Sequence, residues 1–569
     1  MEEYMKRYNY WLESDAVDEA TKSELRAIAG DETEIEGRFS APMLSFGTAG
    51  LRGLMKAGTM CMNVYVIRYA TQAVADLIIE CGGQEGGSST EGHGVAIAHD
   101  SRNNSRLYAE EVAGVLAANG IRAFIFDDLR PTPELSYAVR ETGSIAGINV
   151  TASHNAKEYN GYKVYWADGA QVGVEHAEAI AERFKKIDIF KDVKHMSWED
   201  AKAIGLVTIL GEDTDERYMS CVLAQSVGRK YVDQVADDLE IVYSPFHGAG
   251  YRMVPEILRR AGIKRIIPVE EQMIPDGNFP TVKSPNPENP EGFALAIEYA
   301  KKHGSELVIG TDPDSDRCGA VVKNGDEYVV LSGNQMACLM LDYLITVRRE
   351  QGTLPDNAFA CRSIVSTTMA DAICKKNDVT LFKVLTGFKF IGEKIKEYED
   401  SGEYQFLFGF EEAIGFLAGT YCRDKDACVA SLLMAEIGCY YKSKGMTVYE
   451  GLQSLYEKYG YFVEKTTSYW FEGYDAQDKM AAVMVKLRAN PPESVGLPIV
   501  SVTDYLDDVP GFTKSNVLVY DLEGGNTMIV RPSGTEPRVK SYVLANGASA
   551  EEAEKNYTII REAAAELLK

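Results

Sequence analysis

The stretch GVAIAHD (94–100), RLYAEEVAGVLAANG (106–120), AFIFDD (123–128) reads as strand, helix, strand. Its outer pieces are short apolar runs ending in polar residues, and its middle piece repeats apolar side chains at helical spacing. Similar strand patterns return downstream in LEIVYS (239–244), RIIPVE (265–270) and ELVIGTD (306–312). Such alternation predicts an α/β protein with largely parallel strands. Ligands in such sheets gather beyond the carboxyl ends of the strands, where His99, Asp100, Asp312 and Asp314 fall. At roughly 150 residues per domain, 569 residues make about four domains. The tail from about 475 onward differs, closing on the helical pattern AEEAEKNYTIIREAAAELLK after a strand-rich region, so a smaller α+β domain is expected there. GGQEGGSSTEGHG (82–94) reads as a flexible surface loop. Simple motif comparison shows no internal repeat.

Composition narrows the function. No run approaches the ~20 apolar residues of a membrane span, and the opening MEEYMKRYNYWLESDA reads as an amphipathic helix, not a signal peptide. The ten cysteines are scattered from Cys61 to Cys439 without a C-x-x-C pair, which fits reduced thiols and a cytoplasmic location. A formal charge of -26 argues against nucleic-acid or anionic-membrane partners. For an anionic substrate, basic residues near the motifs must overcome that field.

Four segments carry chemistry. TASHNAKEYNGYKVY (151–165) offers one hydroxyl nucleophile, Ser153, with His154 beside it and Lys163 ten residues on. A serine so placed can accept a phosphoryl group and pass it on, splitting one hard transfer into two easier ones. A helix-capping turn serine is the plainer alternative for that tripeptide alone. GTDPDSDRCG (310–319) spaces Asp312, Asp314 and Asp316 at alternate positions, so an extended loop points three carboxylates one way, toward one hard cation such as Mg²⁺. An EF-hand is excluded because Arg317 and Lys323 stand where it needs Gly and Glu. RPSGTEPR (531–538) offers Arg531, Ser533, Gly534, Thr535 and Arg538 as an anion cradle. FLFGFEEAIGF (406–416) contributes Glu411 and Glu412, which can accept hydrogen bonds from sugar hydroxyls, although such a pair alone is more often a solvated loop; nearby Lys425 can neutralise phosphate or move a proton. FGTAGLRG (46–53) adds Arg52 in a glycine-rich loop.

These motifs, in order GTAGLRG, TASHN, NGYK, GTDPDSDR, TGFK, FEEAIG and RPSGTEPR, resemble the α-D-phosphohexomutases, a family that includes phosphoglucomutases and phosphomannomutases. The resemblance implies three related α/β domains with mixed, largely parallel sheets and a smaller C-terminal α+β domain around a central cleft, with segments 1–220, 221–332, 333–465 and 475–569. It implies Ser153 as the phosphoserine, one Mg²⁺ held by Asp312, Asp314, Asp316 and the serine phosphate, Glu411 on the sugar, and the 531–538 cradle on the non-reacting phosphate. Arg52, His154, Lys163, Arg317 and Lys425 match family active-site positions, Lys163 and Lys425 as proton-transfer or charge-stabilising groups and Arg317 as a substrate contact.

The implied reaction interconverts glucose 1-phosphate and glucose 6-phosphate through a phosphoserine enzyme and a bisphosphorylated sugar, with glucose 1,6-bisphosphate as activator and a monomer or homodimer as the working form. Many members carry Ser where this chain has Ala413. With SPFHGAG (244–250) and SPNPENPEG (284–292), that departure looks like the second-type phosphoglucomutase branch, and it leaves phosphomannomutase, phosphopentomutase and glucose 1,6-bisphosphate synthase as alternatives. A phosphatase or a silent sugar-phosphate binder is a poorer match, since the first needs no distal cradle and the second no nucleophile.

Overall fold

The structure, a computed structural model, describes residues 2–90, 92–472, 476–533 and 537–568. Strands Ala123–Phe126, Val95–His99 and Ala146–Val150 lie parallel in that spatial order and are followed by antiparallel Tyr159–Trp166. A second sheet repeats the order with Arg265–Pro268, Glu240–Ser244, Leu307–Thr311 and antiparallel Cys318–Asn324. A third does so with Thr380–Val384, Ala358–Ser363, Gln405–Glu411 and antiparallel Gly415–Leu417. The strands expected from the apolar runs are therefore present, and so is an internal repeat that motif comparison does not show. The repeat lies in strand order, which many apolar sequences satisfy, and not in residue identity.

Equivalent turns connect the third parallel strand to the antiparallel one in each sheet. Those turns contain Ser153, Ser315 and Ile414, and all three residues are left-handed at φ 52°. A non-glycine residue pays about 1–2 kcal/mol for that conformation, and for β-branched isoleucine it is a true outlier. Strain of this kind concentrates at functional sites. Here it turns the chain back sharply at the carboxyl ends of three sheets, and it locates the three motifs TASHN, DPDSD and EEAI at one structural position.

The second and third units share a core. Helix Ala427–Ser443 leaves the third sheet and packs on helices Arg229–Val235 and Gly250–Arg260 and on strand Leu307–Thr311. One apolar cluster runs from Tyr218 through Ile309, Leu341 and Phe408 to Leu433. Within it Glu436 is fully buried but satisfied, accepting hydrogen bonds from Gly228 N at 3.0 Å, Val227 N at 3.2 Å and the Tyr343 hydroxyl at 2.9 Å. Buried carboxylates persist on those terms.

The fourth sheet is entirely antiparallel, from Tyr461–Trp470 at one edge through Arg538–Gly547, Asn526–Pro532, Leu518–Leu522 and Leu497–Asp504 to Ser494–Val495. Helices Ala476–Ala489 and Ala550–Leu567 cover it with a core of their own, giving the expected smaller α+β unit and closing helix. Its edge strand Tyr461–Trp470 lies ahead of residue 475 and pairs along its whole length with Arg538–Gly547. No helix among the described residues is long and apolar enough to cross a membrane. None of the ten cysteines is in a disulfide, and eight are buried.

Because Leu433 is fully buried in the shared cluster, Leu433→Ala is expected to cost about 2–5 kcal/mol. In urea unfolding that loss should appear in a single transition covering the second and third units. A loss under about 1 kcal/mol, or separate melting of the two units, would contradict the shared core.

Candidate functional site

Ser153 is set by hydrogen bonds on both sides of its backbone. Its N–H donates to Thr151 Oγ1 at 2.8 Å, and the Thr151 hydroxyl donates to Asp100 Oδ2 at 2.7 Å. Asp100 also accepts from Ser105 Oγ at 2.7 Å and Arg102 N at 2.9 Å. The buried Arg102 guanidinium donates to the carbonyls of Ser153 at 2.5 Å, Ala156 at 2.8 Å and Tyr159 at 3.1 Å, stapling the turn. With its backbone fixed, Ser153 points its hydroxyl at the second unit: Oγ donates to Asp312 Oδ2 at 2.9 Å and lies 3.1 Å from His154 Nδ1. Burial, reinforced by Arg317 and Arg52, pushes the His154 pKa well below the ordinary histidine value, so the imidazole is neutral.

Arg52 lies on strand Leu51–Leu54 opposite Gly161, and its guanidinium donates to Asn155 Oδ1 at 2.9 Å. The preceding Gly50 is left-handed, and a Cβ there would sit 2.0 Å from the Tyr162 carbonyl, so only glycine brings this loop against the nucleophile strand.

The metal turn gathers one carboxylate oxygen from each of Asp312, Asp314 and Asp316 within 4.8 Å of one another, all buried. Asp312 Oδ1 accepts from the N–H groups of Asp316 at 3.1 Å and Arg317 at 3.0 Å, which closes the turn on itself. Asp314 is pinned from the first unit, its carbonyl accepting from Thr132 N at 2.8 Å and its Oδ2 from Thr132 Oγ1 at 2.9 Å. Two lysines close the cluster: Lys163 Nζ reaches Asp314 Oδ2 at 2.8 Å and Asp316 Oδ2 at 3.2 Å, and Lys425 Nζ reaches Asp316 Oδ2 at 2.8 Å.

Burial disfavours both ammonium groups, yet the facing aspartates outweigh it and raise both lysine pKa values, so both stay charged. Burial together with Asp314 and Asp316 pushes the Asp312 carboxyl well above its ordinary value. Asp314 Oδ1 and Asp316 Oδ1 are buried without a hydrogen-bond partner. Hard anionic oxygens left bare beside a raised carboxyl fit a divalent cation that two lysines do not replace.

The adjacent glutamates diverge. Glu411 accepts from Gly387 N at 2.8 Å, and Lys425 and Arg317 counter the burial that raises its pKa. Glu412 accepts from Ser363 Oγ at 3.1 Å, and burial, then Glu411, pushes it up to about 7. Glu412 also lines a polar cavity of about 180 Å³ with Ser332, Asn334 and, from the fourth sheet, Tyr542. In that sheet Arg531 lies opposite Lys540, Ser533 N donates to the Arg538 carbonyl at 2.8 Å, and the Arg538 guanidinium stacks 4.8 Å from the Trp470 ring centre. Burial and Arg538 lower the Lys540 pKa while Glu412 opposes them, so the basic cluster of the fourth sheet lies within electrostatic reach of the 411–412 turn. Gly534 and Thr535, expected in the cradle, lie outside the described residues.

Residues 43–190, 216–325 and 332–459 match, in turn, the alpha/beta/alpha domains I, II and III of phosphoglucomutase/phosphomannomutase. The chain belongs to this family. The phosphoglucomutase of Staphylococcus aureus (strain USA300) is 32% identical over 548 residues, covering 93% of this chain and 94% of its own. That of Staphylococcus haemolyticus (strain JCSC1435) is 32% identical over 525 residues, covering 88% and 90%. Two solved structures share the fold: the phosphoglucomutase pp63/parafusin of Paramecium in its open form (TM-score 0.70, 18% identity, 92% and 94% covered) and a putative phosphomannomutase of Thermus thermophilus (TM-score 0.66, 21% identity, 92% and 99% covered).

Family membership accounts for the repeated sheets and their three equivalent turns. Ser153, His154, Lys163, Asp312, Asp314, Asp316 and Lys425 are linked by the contacts above, Arg52 joins through Asn155, and Arg317 and Glu411 through charge. Arg531, Ser533 and Arg538 stand apart on the fourth sheet. Sequence reading leaves out Arg102, Thr132 and Lys540. Arg102 and Thr132 act across loops with no local motif; Lys540 carried a signal, two residues beyond Arg538 on the same strand face.

A divalent cation is therefore expected to raise Tm, with Asp314→Ala removing that rise while leaving far-ultraviolet circular dichroism unchanged. Equal rises in both proteins would place the cation elsewhere.

Proposed function

We propose that this chain is a phosphoglucomutase, reversibly converting glucose 1-phosphate and glucose 6-phosphate through phosphorylated Ser153 and a bisphosphorylated sugar. The observation that carries the reading is Ser153 Oγ at 2.9 Å from Asp312 within a buried aspartate triad, in a chain with a separate basic cluster on its fourth sheet. A hydrolase needs the first feature, whereas a mutase needs both, because the phosphate that does not react must be held while the other transfers.

Asp312, Asp314 and Asp316, with the phosphate on Ser153, would hold one Mg²⁺, which would supply charge neutralisation at the transferring group. The protein's own groups do the rest. Arg102 and Thr151 fix the turn so that the sugar hydroxyl can attack phosphorus in line with Ser153 Oγ, forming the sugar O–P bond as the serine O–P bond breaks. Lys163 and Lys425, held charged by the aspartates, stabilise negative charge and are poor bases. Neutral His154, 3.1 Å from Ser153 Oγ, is the nearer candidate for receiving a proton. Arg52 and Arg317 bind the reacting phosphate, Glu411 accepts from sugar hydroxyls, and Arg531, Ser533, Gly534, Thr535 and Arg538 cradle the other phosphate. The fourth unit, having its own core, opens and closes so that the bisphosphate turns over without escaping.

Further parts of the proposal are activation by glucose 1,6-bisphosphate, cytoplasmic location, a monomer or homodimer, and units near 1–220, 221–332, 333–460 and 461–569. The third boundary moves to follow strand Tyr461–Trp470. Ala413, with no hydroxyl to offer the sugar, favours as second readings a phosphomannomutase, a phosphopentomutase or glucose 1,6-bisphosphate synthase on the same scaffold.

Phosphorus NMR with Mg²⁺ and a trace of glucose 1,6-bisphosphate should show glucose 1-phosphate becoming glucose 6-phosphate, and Ser153→Ala should lower turnover by at least about 10⁴-fold. Release of inorganic phosphate would indicate a phosphatase; near-normal turnover by the variant would remove Ser153 from the mechanism.

A further inference from the structure

The segment SPNPENPEG (284–292) has no part in the site described above, yet it carries a carboxylate to the edge of the metal and sugar turns. Three prolines stiffen the segment, and Asn286 shapes it, its side-chain oxygen accepting from Glu288 N at 3.1 Å and its carbonyl from Asn289 N at 2.9 Å. The Pro287 carbonyl oxygen lies 2.4 Å from where a Cβ would stand on Gly319, the second residue of the strand leaving the metal turn. Only glycine admits that approach, so the close packing of the segment against Cys318–Asn324 is written into both partners.

That packing sets Glu288 beside Arg317, with Oε2 3.6 Å from the guanidinium, and on the wall of the cavity shared with Glu412, Ser332, Asn334 and Tyr542. An ion pair at 3.6 Å is beyond hydrogen-bond length. Among the described residues, the one side-chain hydrogen bond Glu288 makes to a neighbouring side chain is a long 3.5 Å contact from Asn286 Nδ2. Its oxygens thus keep acceptor capacity on a part-exposed side chain, 38% accessible. Glu288 comes from the second unit and Glu412 from the third, so two acceptors meet across a small polar space. The wall also carries Glu464 and one basic group, Lys465, so three carboxyl side chains against one lysine favour hydroxyl donors over a phosphate.

We propose that Glu288 is a specificity-determining residue of the sugar subsite, accepting hydrogen bonds from substrate ring hydroxyls across the cavity from Glu412. This rests on the sugar-phosphate mutase reading. It gives the chain a hydroxyl contact from the second unit where Ala413 supplies none from the third.

The test compares kcat/KM for glucose 1-phosphate with its 2-, 3- and 4-deoxy analogues in wild type, Glu288→Ala and Glu288→Gln. Wild type is expected to lose about 10- to 100-fold on at least one deoxy analogue. In Glu288→Ala that penalty should shrink to within about threefold of the parent sugar, and in Glu288→Gln it should fall between the two. An unchanged deoxy profile in Glu288→Ala overturns the proposal. So does a uniform fall in kcat with the ratios preserved, which would mean that Glu288 acts only through Arg317. Turnover of none of these sugar phosphates by wild type would instead strike down the phosphoglucomutase reading on which the proposal rests.

Discussion

Everything in the site depends on holding three carboxylates together where water cannot reach them. Asp312, Asp314 and Asp316 present oxygens within 4.8 Å of one another, and at an effective dielectric of about 20 each like-charged pair at that spacing repels by on the order of 3 kcal/mol. Lys163 pairs with Asp314 and Asp316, Lys425 with Asp316, and Arg317 lies 4.0 Å from Asp316, yet one oxygen each of Asp314 and Asp316 stays buried without a hydrogen-bond partner. A divalent cation there would be coordinated by those oxygens, and a phosphoryl group on Ser153, whose Oγ is 2.9 Å from Asp312, would bring its charge to the same place.

The threefold repeat explains how separate sheets meet at one point. Each places a strained turn after its third parallel strand, and the three turns carry different side chains: the Ser153 hydroxyl, the carboxylates of 312–316, and Glu411 and Glu412. Left-handed residues at the same φ in all three indicate one backbone solution used three times. The shared core of the second and third units keeps two of these turns in fixed relation, and Thr132 donating to Asp314 ties the first unit to the second. An apolar patch around Ile364, Leu385 and Tyr505 joins the third and fourth units.

Much of this was legible in the sequence because turns at strand ends use particular residue types. DPDSD can hardly be anything but a carboxylate cage, and TASHN and RPSGTEPR stand out against ordinary loops. The parallel strands were legible because apolar runs ending in polar residues mark them. The repeat was not visible to motif comparison, since strand order leaves no trace in residue identity, and was implied only by the family resemblance. The start of the fourth sheet at Tyr461 was hidden because YFVEKTTSYW follows a helix directly, and its partner strand lies more than sixty residues away. Arg102 and Thr132 were hidden for a related reason: each acts on backbone or side chain of a loop remote in sequence. The parting of Glu411 and Glu412 depends on strand geometry alone, because successive side chains face opposite ways.

The central claim is that Ser153 itself carries the phosphoryl group. Mass spectrometry of the protein after incubation with glucose 1,6-bisphosphate and Mg²⁺, followed by peptide mapping, tests it directly. One phosphate per chain, located on Ser153 and discharged by adding glucose 1-phosphate, is the predicted result. A phosphate on another residue, or a Ser153 that stays unmodified while the sugar phosphate turns over, would contradict it.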